Sequence, residues 1–198
     1  MKRIFDLLAS ALGLVLVSPV LLAVALAIKL EDGGPVFYRG TRVGMGGQPF
    51  RIFKFRSMVV DAEKRGASST SQDDPRITRV GAFIRSKKID ELPQLFNVLL
   101  GEMSVVGPRP QVSWAVDRYT SDERLVLSVR PGITDPASLY FYNEGELLKG
   151  SLDPDKDYME RIHPEKMRLS LEYVRQRSFS LDLKIILKTF SRIAGRSA

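Results

Sequence analysis

Two adjacent carboxylates, Asp90 and Glu91, stand in the stretch KKIDELPQLFN (residues 87–97), between two lysines and a proline that opens an apolar run. Acidic residues are common in the first turn of a helix, where they offset unpaired N–H groups. Two carboxylates together with phosphate oxygens also suit Mg²⁺, which retains waters and takes few protein ligands. The pair is therefore either a helix cap or the centre of a metal-assisted phosphate site.

Basic side chains precede this pair and recur in two further clusters. They are Arg79, Arg85, Lys87 and Lys88 before the pair, Lys54 and Arg56 after an apolar run, and Arg109 between Pro108 and Pro110. Each proline fixes its own φ and restricts the residue before it, so Arg109 lies on a stiff segment suited to bidentate phosphate or carboxylate recognition. Nucleic-acid readers usually interleave exposed aromatic residues with Lys and Arg, a pattern that is weak here. The clusters indicate a diphosphate substrate and no nucleic-acid partner.

Composition narrows the chemistry further. The 198-residue chain has no cysteine, which excludes thiol catalysis, disulfides and thiolate metal sites. A single histidine, His163, excludes multi-histidine metal sites, and its place beside Pro164 predicts a surface residue at a helix start. A net charge of +7 is by itself compatible with nucleic acid, anionic lipid or a phosphorylated substrate, and the weak aromatic pattern argues against the first of these.

Residues 7–28 are uncharged and almost wholly apolar. As a helix they would extend about 33 Å, enough to cross a hydrocarbon core of about 30 Å. A cleaved signal peptide, a spanning helix and a re-entrant hairpin all remain open. Basic residues at both ends favour neither spanning orientation. The pair Ser18 and Pro19 near the centre favours a hairpin, since Pro19 cannot donate to the carbonyl of Val15 and Ser18 can bond back to it.

The remaining chain predicts an α/β (α+β), mainly helical protein with a membrane hairpin at 1–30 and a catalytic domain at 31–198. Strand-like runs at 36–39 and 50–55 flank a glycine-rich turn, and 66–75 reads as a mobile polar loop. Helices are expected at 92–100 and after Pro164. The last helix is amphipathic, either on an anionic membrane surface or on the globular core, with Lys184, Lys188, Arg192 and Arg196 opposite its apolar face.

The order of these motifs resembles the monotopic phosphoglycosyl transferases, also called bacterial sugar transferases. The matching stretches are the hydrophobic segment with Ser18-Pro19, PVFYRGTRVG (35–44), FKFRSM (53–58), DPRITRVGAFIR (74–85), KIDELPQLFNVLLGEMSVVGPRP (88–110), RPGIT (130–134) and the SLDLKIILKT stretch. Each piece alone is weak, whereas the order and spacing together are specific. The chain is identified as a small member of this family, with the minimal catalytic unit.

The resemblance implies transfer of a phosphosugar from a UDP-sugar to a polyprenol phosphate such as undecaprenyl phosphate, with release of UMP. It implies that Asp90 is the nucleophile and forms an aspartyl-phosphosugar intermediate, and that Glu91 helps to hold Mg²⁺. Arg109 would contact the nucleotide end, and Lys54 would support the phosphate site. Such an enzyme starts glycoconjugate assembly on the cytoplasmic face of the bacterial inner membrane.

The physical reading agrees with these roles. An ordinary aspartate is ionised at neutral pH and needs no base in order to attack, so the requirement is neutralisation of the diphosphate charge. Mg²⁺, Arg85 and a helix N-terminus can supply that neutralisation.

Two positions depart from the family pattern. Asp135 follows RPGIT where many members have glycine, and Tyr142 stands where others have an arginine that faces the substrate phosphates. The phosphate contact that this arginine makes in other members is therefore not expected from Tyr142. The departure is typical of a subgroup with a different sugar preference.

Two other functions are compatible with the residues. A membrane-anchored Mg²⁺-dependent nucleotide-sugar hydrolase would release UMP without a lipid acceptor. A non-catalytic protein that binds anionic lipid would not need Asp90. An exposed apolar edge near the membrane would also suit a homodimer.

Overall fold

The N-terminal apolar segment forms one helix, α1, from Lys2 to Asp32. The structure is a computed structural model that describes residues 1–195. Arg196, which we placed on the basic side of the last helix, lies outside the described residues. Within them, α1 is the one helix long and apolar enough to cross a membrane.

The expected interruption of this helix at Ser18 and Pro19 is not seen, because helical structure continues through both residues. Pro19 has no N–H to donate to the carbonyl of Val15, as expected. The hydroxyl of Ser18 donates to that carbonyl instead, at 2.8 Å. The side-chain bond replaces the missing backbone bond, so α1 is one element where we expected two half-helices.

Both ends of α1 are fixed to the remainder of the protein. Near its start, Lys2 Nζ lies 2.6 Å from Asp182 Oδ2, and the buried Asp6 accepts a hydrogen bond from Ser104 Oγ at 2.8 Å. At its end, Val24 and Ile28 pack in a buried cluster with Phe55 and Ile84. One side of the helix therefore follows the protein body, while its other side is apolar and exposed, with Leu16 at 70% and Leu22 at 72%.

A nested pair of short antiparallel ladders follows α1. Strand β1 (Phe37–Tyr38) pairs with β4 (Lys54–Phe55), and β2 (Thr41–Val43) pairs with β3 (Pro49–Arg51) inside them. The turn between β2 and β3 is a 3₁₀ turn, Met45–Gly47, in which Gly46 and Gly47 have positive φ. The predicted hairpin is confirmed, and its strands are shorter than expected.

The polar loop expected at 66–75 has no helix or strand and is held at several points. A 3₁₀ turn, Ala62–Arg65, precedes it. The backbone N–H groups of Ser68 and Ser69 donate to the Asp155 carboxylate at 3.1 and 2.7 Å. These bonds attach the loop to the C-terminal part of the chain.

The segment that carries the acidic pair runs between two helices. Helix α2 (Arg79–Ser86) leads to a 3₁₀ turn, Ile89–Glu91, and helix α3 (Gln94–Leu100) follows it. The helix predicted at 92–100 is thus confirmed, with Pro93 at its start. Strand β5 (Ser104–Val106) then pairs in parallel with β6 (Gly132–Thr134).

Helices make up the rest of the described chain. The short ones are α4 (Ser113–Val116), α5 (Pro136–Tyr140), α6 (Glu144–Leu147) and α7 (Pro154–Asp157), with 3₁₀ and π turns at Glu123–Ser128 and Tyr158–Ile162. Two longer helices close the described chain: α8 (His163–Gln176) and α9 (Phe179–Ile193). His163 does begin a helix, but it is buried beside Glu123 rather than at the surface as we predicted. The mainly helical fold is confirmed.

Candidate active site

The acidic pair is presented by a strained turn rather than by the helix itself. Lys88 has a left-handed backbone with φ 56° and starts the 3₁₀ turn that holds Asp90 and Glu91. This conformation is costly for a residue with a side chain, and such strain tends to persist at functional sites. Ile89, between Lys88 and the pair, packs against the buried cluster of Phe55 and Ile84 and so anchors the turn.

Glu91 is held by two cations. Lys54 Nζ donates to Glu91 Oε1 at 2.8 Å. Arg109 forms a two-pronged pair with the same carboxylate, with Nη1 at 3.1 Å from Oε2 and Nη2 on Oε1. Burial alone would raise the pKa of Glu91, but the charges of Arg109 and Lys54 outweigh it and hold this pKa well below its usual range. Glu91 is thus an ionised, immobilised carboxylate.

Asp90, in contrast to Glu91, is not held by close cations. It is 5% exposed, and within residues 1–195 its carboxylate accepts no hydrogen bond. Its nearest cation is Lys54, whose Nζ lies 4.0 Å from Oδ2. Burial raises the pKa of the Asp90 carboxyl, and the charge of Lys54 opposes that rise. Asp90 is therefore a buried carboxylate whose oxygens are available to an incoming group.

Backbone contacts at the ends of β5 and β6 place Arg109. The N–H of Gly107 donates to the carbonyl of Thr134, and the N–H of Gly132 donates to that of Pro108, both at 3.0 Å. A Cβ on Gly132 would lie 2.1 Å from Gly107 N, so the two backbones can approach only because both residues are glycine. This crossing orients the Pro108–Arg109–Pro110 segment toward Glu91.

The other predicted phosphate-binding cations differ in their placement. Arg85 contacts Ser57 Oγ at 3.5 Å and forms no ion pair with a described residue, so its charge is available near Asp90. Arg56 was expected in the phosphate site, but its guanidinium bonds Asp32 and the carbonyls of Pro35 and Met58. Arg56 instead attaches the end of α1 to the body.

Two cations near the site, Lys88 and Arg192, had no site role in the sequence-based prediction. Lys88 lies with its Nζ 5.0 Å from the centre of the Tyr142 ring, and Arg192 Cζ lies 5.4 Å from the same point. Burial lowers the pKa of Lys88, and the negative charges of Glu91 and Asp90 oppose that effect. Lys88 was recognised in the sequence as one of the cations before the acidic pair. Only the fold brings Arg192 there.

Asp135 and Tyr142, the two departures from the family pattern, lie in different surroundings. Asp135 is fully buried and caps α5, accepting a hydrogen bond from the N–H of Ser138 at 2.7 Å. It is therefore part of the framework. Tyr142 lies beside the turn that carries Asp90 and Glu91, with Lys88 and Arg192 as its cationic neighbours.

The acidic pair also fits a magnesium ion in the chemistry of its donors. The described residues contain no cluster of three or more metal-binding side chains. Mg²⁺ nevertheless needs few protein ligands when phosphate oxygens and waters complete its shell. Asp90 offers a buried carboxylate without hydrogen-bond donors, which is an arrangement that a cation would satisfy. Glu91 could join it by giving up part of its bonding to Lys54 or Arg109.

Comparison with known proteins gives a consistent family. Residues 1–196 match the family described as bacterial sugar transferase. The chain is 44% identical, over its full length, to an undecaprenyl-phosphate glucose phosphotransferase of Komagataeibacter xylinus, of which it covers 36%. It is 40% identical over 96% of its length to a UDP-glucose:undecaprenyl-phosphate glucose-1-phosphate transferase of Escherichia coli K12, of which it covers 39%. It is also 38% identical to the exopolysaccharide production protein ExoY of Rhizobium meliloti, covering 84% of that protein.

The chain thus spans less than half the length of the first two relatives. The family match extends over nearly the whole chain. By its sequence, the chain belongs to the bacterial sugar transferase family.

Proposed function

We propose that this chain is a membrane-bound phosphoglycosyl transferase that moves a sugar phosphate from a UDP-sugar to undecaprenyl phosphate or a similar polyprenol phosphate. The observation that carries the proposal is the difference between the two carboxylates. Glu91 is fixed by Lys54 and Arg109, whereas Asp90 accepts no hydrogen bond from a described residue and has Lys54 at 4.0 Å. The names of two relatives, which refer to undecaprenyl phosphate and to glucose phosphate transfer, support the substrate class.

In the first step, an oxygen of the Asp90 carboxylate attacks the sugar-side phosphorus of the donor. A new P–O bond forms to Asp90, and the bond from that phosphorus to the bridging oxygen breaks. UMP leaves with the bridging oxygen and its electron pair. No proton needs to be removed from Asp90, provided that its carboxylate is ionised when the donor binds.

In the second step, a phosphate oxygen of the polyprenol phosphate attacks the phosphorus of the aspartyl-phosphosugar. The bond from phosphorus to the Asp90 oxygen breaks, and the carboxylate is regenerated. The products are a polyprenyl diphosphate-sugar and a free enzyme, so the atoms balance over the two steps. This route is covalent catalysis by a carboxylate, which divides one difficult transfer into two.

The cations of the site have separate tasks. Arg85, which has no ion pair among the described residues, is placed to bind the donor phosphates. Lys54 lies between the two carboxylates, where its charge opposes the repulsion between Asp90 and the donor. Arg109 keeps Glu91 ionised and oriented, and can contact the nucleotide end of the donor. Mg²⁺, held by Asp90 and Glu91, would supply further positive charge to the diphosphate when bound.

The attachment of α1 supports a re-entrant arrangement in one leaflet. Lys2 at the start and Asp32 at the end both bind the same body, through Asp182 and Arg56 respectively. A helix that crossed the bilayer would place these ends on opposite sides of the membrane, where one body could not bind both. The exposed apolar side of α1 would enter the membrane, and the catalytic domain would lie on the cytoplasmic face, where nucleotide sugars occur.

The experiment is UMP release from a panel of UDP-sugars by the full chain in detergent or vesicles, with Mg²⁺, with and without undecaprenyl phosphate. We expect turnover that depends on the lipid and is lost in Asp90→Asn, which keeps the volume of the side chain and removes its charge. Asp117→Asn, the same change at an exposed position, is the matched control. Continuous release without the lipid indicates a hydrolase. No release by the wild type with any donor contradicts the proposal.

A further inference from the structure

A second pair of cations, Lys88 and Arg192, lies beside the turn that carries Asp90 and Glu91. Lys88 Nζ and Arg192 Cζ lie 5.0 and 5.4 Å from the centre of the same ring, that of Tyr142, so they are at most about 10 Å apart. Neither side chain forms a hydrogen bond or an ion pair with a described residue. Two unpaired cations repel each other, and an anion bound between them would remove that repulsion.

The ring that joins these cations belongs to the active site. Lys88 precedes Asp90 by two residues and is influenced by the charges of Glu91, Asp90 and Arg85. The pKa of the Tyr142 phenol is raised by burial, with opposite contributions from the charges of Arg192 and Glu91. An anion beside Tyr142 would therefore be close to the carboxylates.

Arg192 comes from a helix whose other side is apolar and exposed. Helix α9 exposes 69% of Leu187 and 66% of Phe190. Arg192 follows Phe190 by two residues, a rotation of about 200°, so these two side chains point to opposite sides of α9. On the inner side, Thr189 Oγ1 lies 2.8 Å from Thr134 Oγ1, which fixes α9 against β6.

The apolar side of α9 is next to that of α1. The rings of Phe5 and Phe179 meet edge to face at 5.3 Å, and Lys2 pairs with Asp182. A membrane that receives the exposed side of α1 therefore also meets α9. Arg192 then lies between the membrane surface and the catalytic turn.

From this placement we infer that Arg192, together with Lys88, binds the phosphate of the lipid acceptor beside Tyr142. The inference rests on the proposed function and identifies a subsite for its second substrate. A polyprenol phosphate is a monoester with up to two negative charges, and its phosphate arrives at headgroup level. The donor, which comes from water, is bound by Arg85 on the Ser57 side. Arg192 would thus bind the second substrate and contribute little to the first step.

The test separates the two steps in Arg192→Ala and Arg192→Lys. Lys188→Ala is the matched control, because Lys188 lies one turn earlier on the same basic side and is exposed without contacting Tyr142. Single-turnover release of UMP without acceptor reports the first step, and the KM for undecaprenyl phosphate in mixed micelles reports the second substrate. Vesicles with and without phosphatidylglycerol report general binding to anionic lipid.

For Arg192→Ala we expect the KM for undecaprenyl phosphate to rise about tenfold, the effect of losing one charged contact. The amount of UMP released in a single turnover and the KM for the UDP-sugar should stay within about twofold. Arg192→Lys should recover part of the loss, because it retains the charge. Lys188→Ala should resemble the wild type.

Three results would overturn the inference. One is an unchanged KM for the acceptor in Arg192→Ala. Another is an equal loss in the single-turnover step, which would assign Arg192 to the donor site. The third is reduced vesicle binding that Lys188→Ala reproduces, which would assign the basic side of α9 to phospholipid. Failure of the proposed function is distinguishable, because the wild type itself would then release no UMP or would release it continuously without the lipid.

Discussion

Lys54 Nζ lies 2.8 Å from Glu91 Oε1 and 4.0 Å from Asp90 Oδ2, so one ammonium group is shared unequally by two neighbouring carboxylates. The closer contact holds Glu91, and the longer one leaves Asp90 without a hydrogen bond from a described residue. Burial lowers the pKa of Lys54, and the charge of Glu91 only partly offsets this effect. The two carboxylates therefore have different surroundings, although they are adjacent in sequence.

Loss of the fixed carboxylate should affect both activity and folding. In Glu91→Gln, Lys54 and Arg109 lose the charge that pairs them and are left as neighbouring cations. We expect activity to fall by at least about 100-fold and the free energy of unfolding to fall by about 3 kcal/mol, as for other buried pairs that lose one partner. UMP release and thermal unfolding in detergent measure the two effects. Glu160→Gln, at an exposed position, should change neither, and near-normal activity in Glu91→Gln would contradict the assigned role.

The close backbone contact between Gly107 and Gly132 should control the position of Arg109. A Cβ in Gly132→Ala would lie 2.1 Å from Gly107 N and 2.4 Å from Gly107 O, both backbone atoms that cannot move independently. We expect the free energy of unfolding to fall by about 1–3 kcal/mol, with a loss of activity as the Pro-Arg-Pro segment shifts. Gly13→Ala, which meets only the flexible side chain of Leu95, serves as the comparison. Equal free energies of unfolding in the two variants would show that the Gly107–Gly132 contact leaves room for a Cβ.

Protonation of Asp74 in acid should lower the contribution that the loop before α2 makes to the free energy of unfolding. Hydrogen bonds from the Arg76 side chain, opposed by burial, lower the pKa of Asp74 below its ordinary value of 3.8. A lowered folded-state pKa gives stability that is present above the unfolded pKa and is lost as the pH falls through the folded one. The stability difference between the wild type and Asp74→Asn should therefore be constant from pH 7 to 5 and shrink below about pH 4. Thermal unfolding across this range measures it, and a difference that grows in acid would contradict this assignment.

The placement of α1 can be tested directly, because the chain has no native cysteine. A single cysteine inserted after Met1 and, separately, Lys64→Cys in the exposed part of the body should both resist a membrane-impermeant maleimide in intact spheroplasts. Both should react after lysis, since the re-entrant arrangement leaves both positions on the cytoplasmic face. Reaction of the N-terminal cysteine in intact spheroplasts would instead indicate a spanning helix. Leu16→Cys, in the exposed apolar side, should react poorly in either state.

Local chemistry accounts for what could be predicted from sequence. Pro93 after Asp90 and Glu91 indicates the start of α3, because proline suits a first helical turn. The flanking prolines of Arg109 and the polar Gly-rich turn before β3 likewise act within a few residues. Ser18 was predicted to bond the carbonyl that Pro19 leaves free, and it does. These features depend on neighbours along the chain, so they can be recognised without the fold.

Long-range packing decided the remainder. Arg56 and Arg85 look alike in sequence, but Asp32 neutralises Arg56 while Arg85 stays available near Asp90. The fold also brings Arg192 to Tyr142, fifty residues earlier in the chain. A charged side chain can bind substrate only if no closer counter-ion neutralises it, and the counter-ion is chosen by tertiary contacts. The sequence alone therefore determined the family and pointed to the acidic pair as the candidate site, and the tertiary structure decided which cations remain available to that pair.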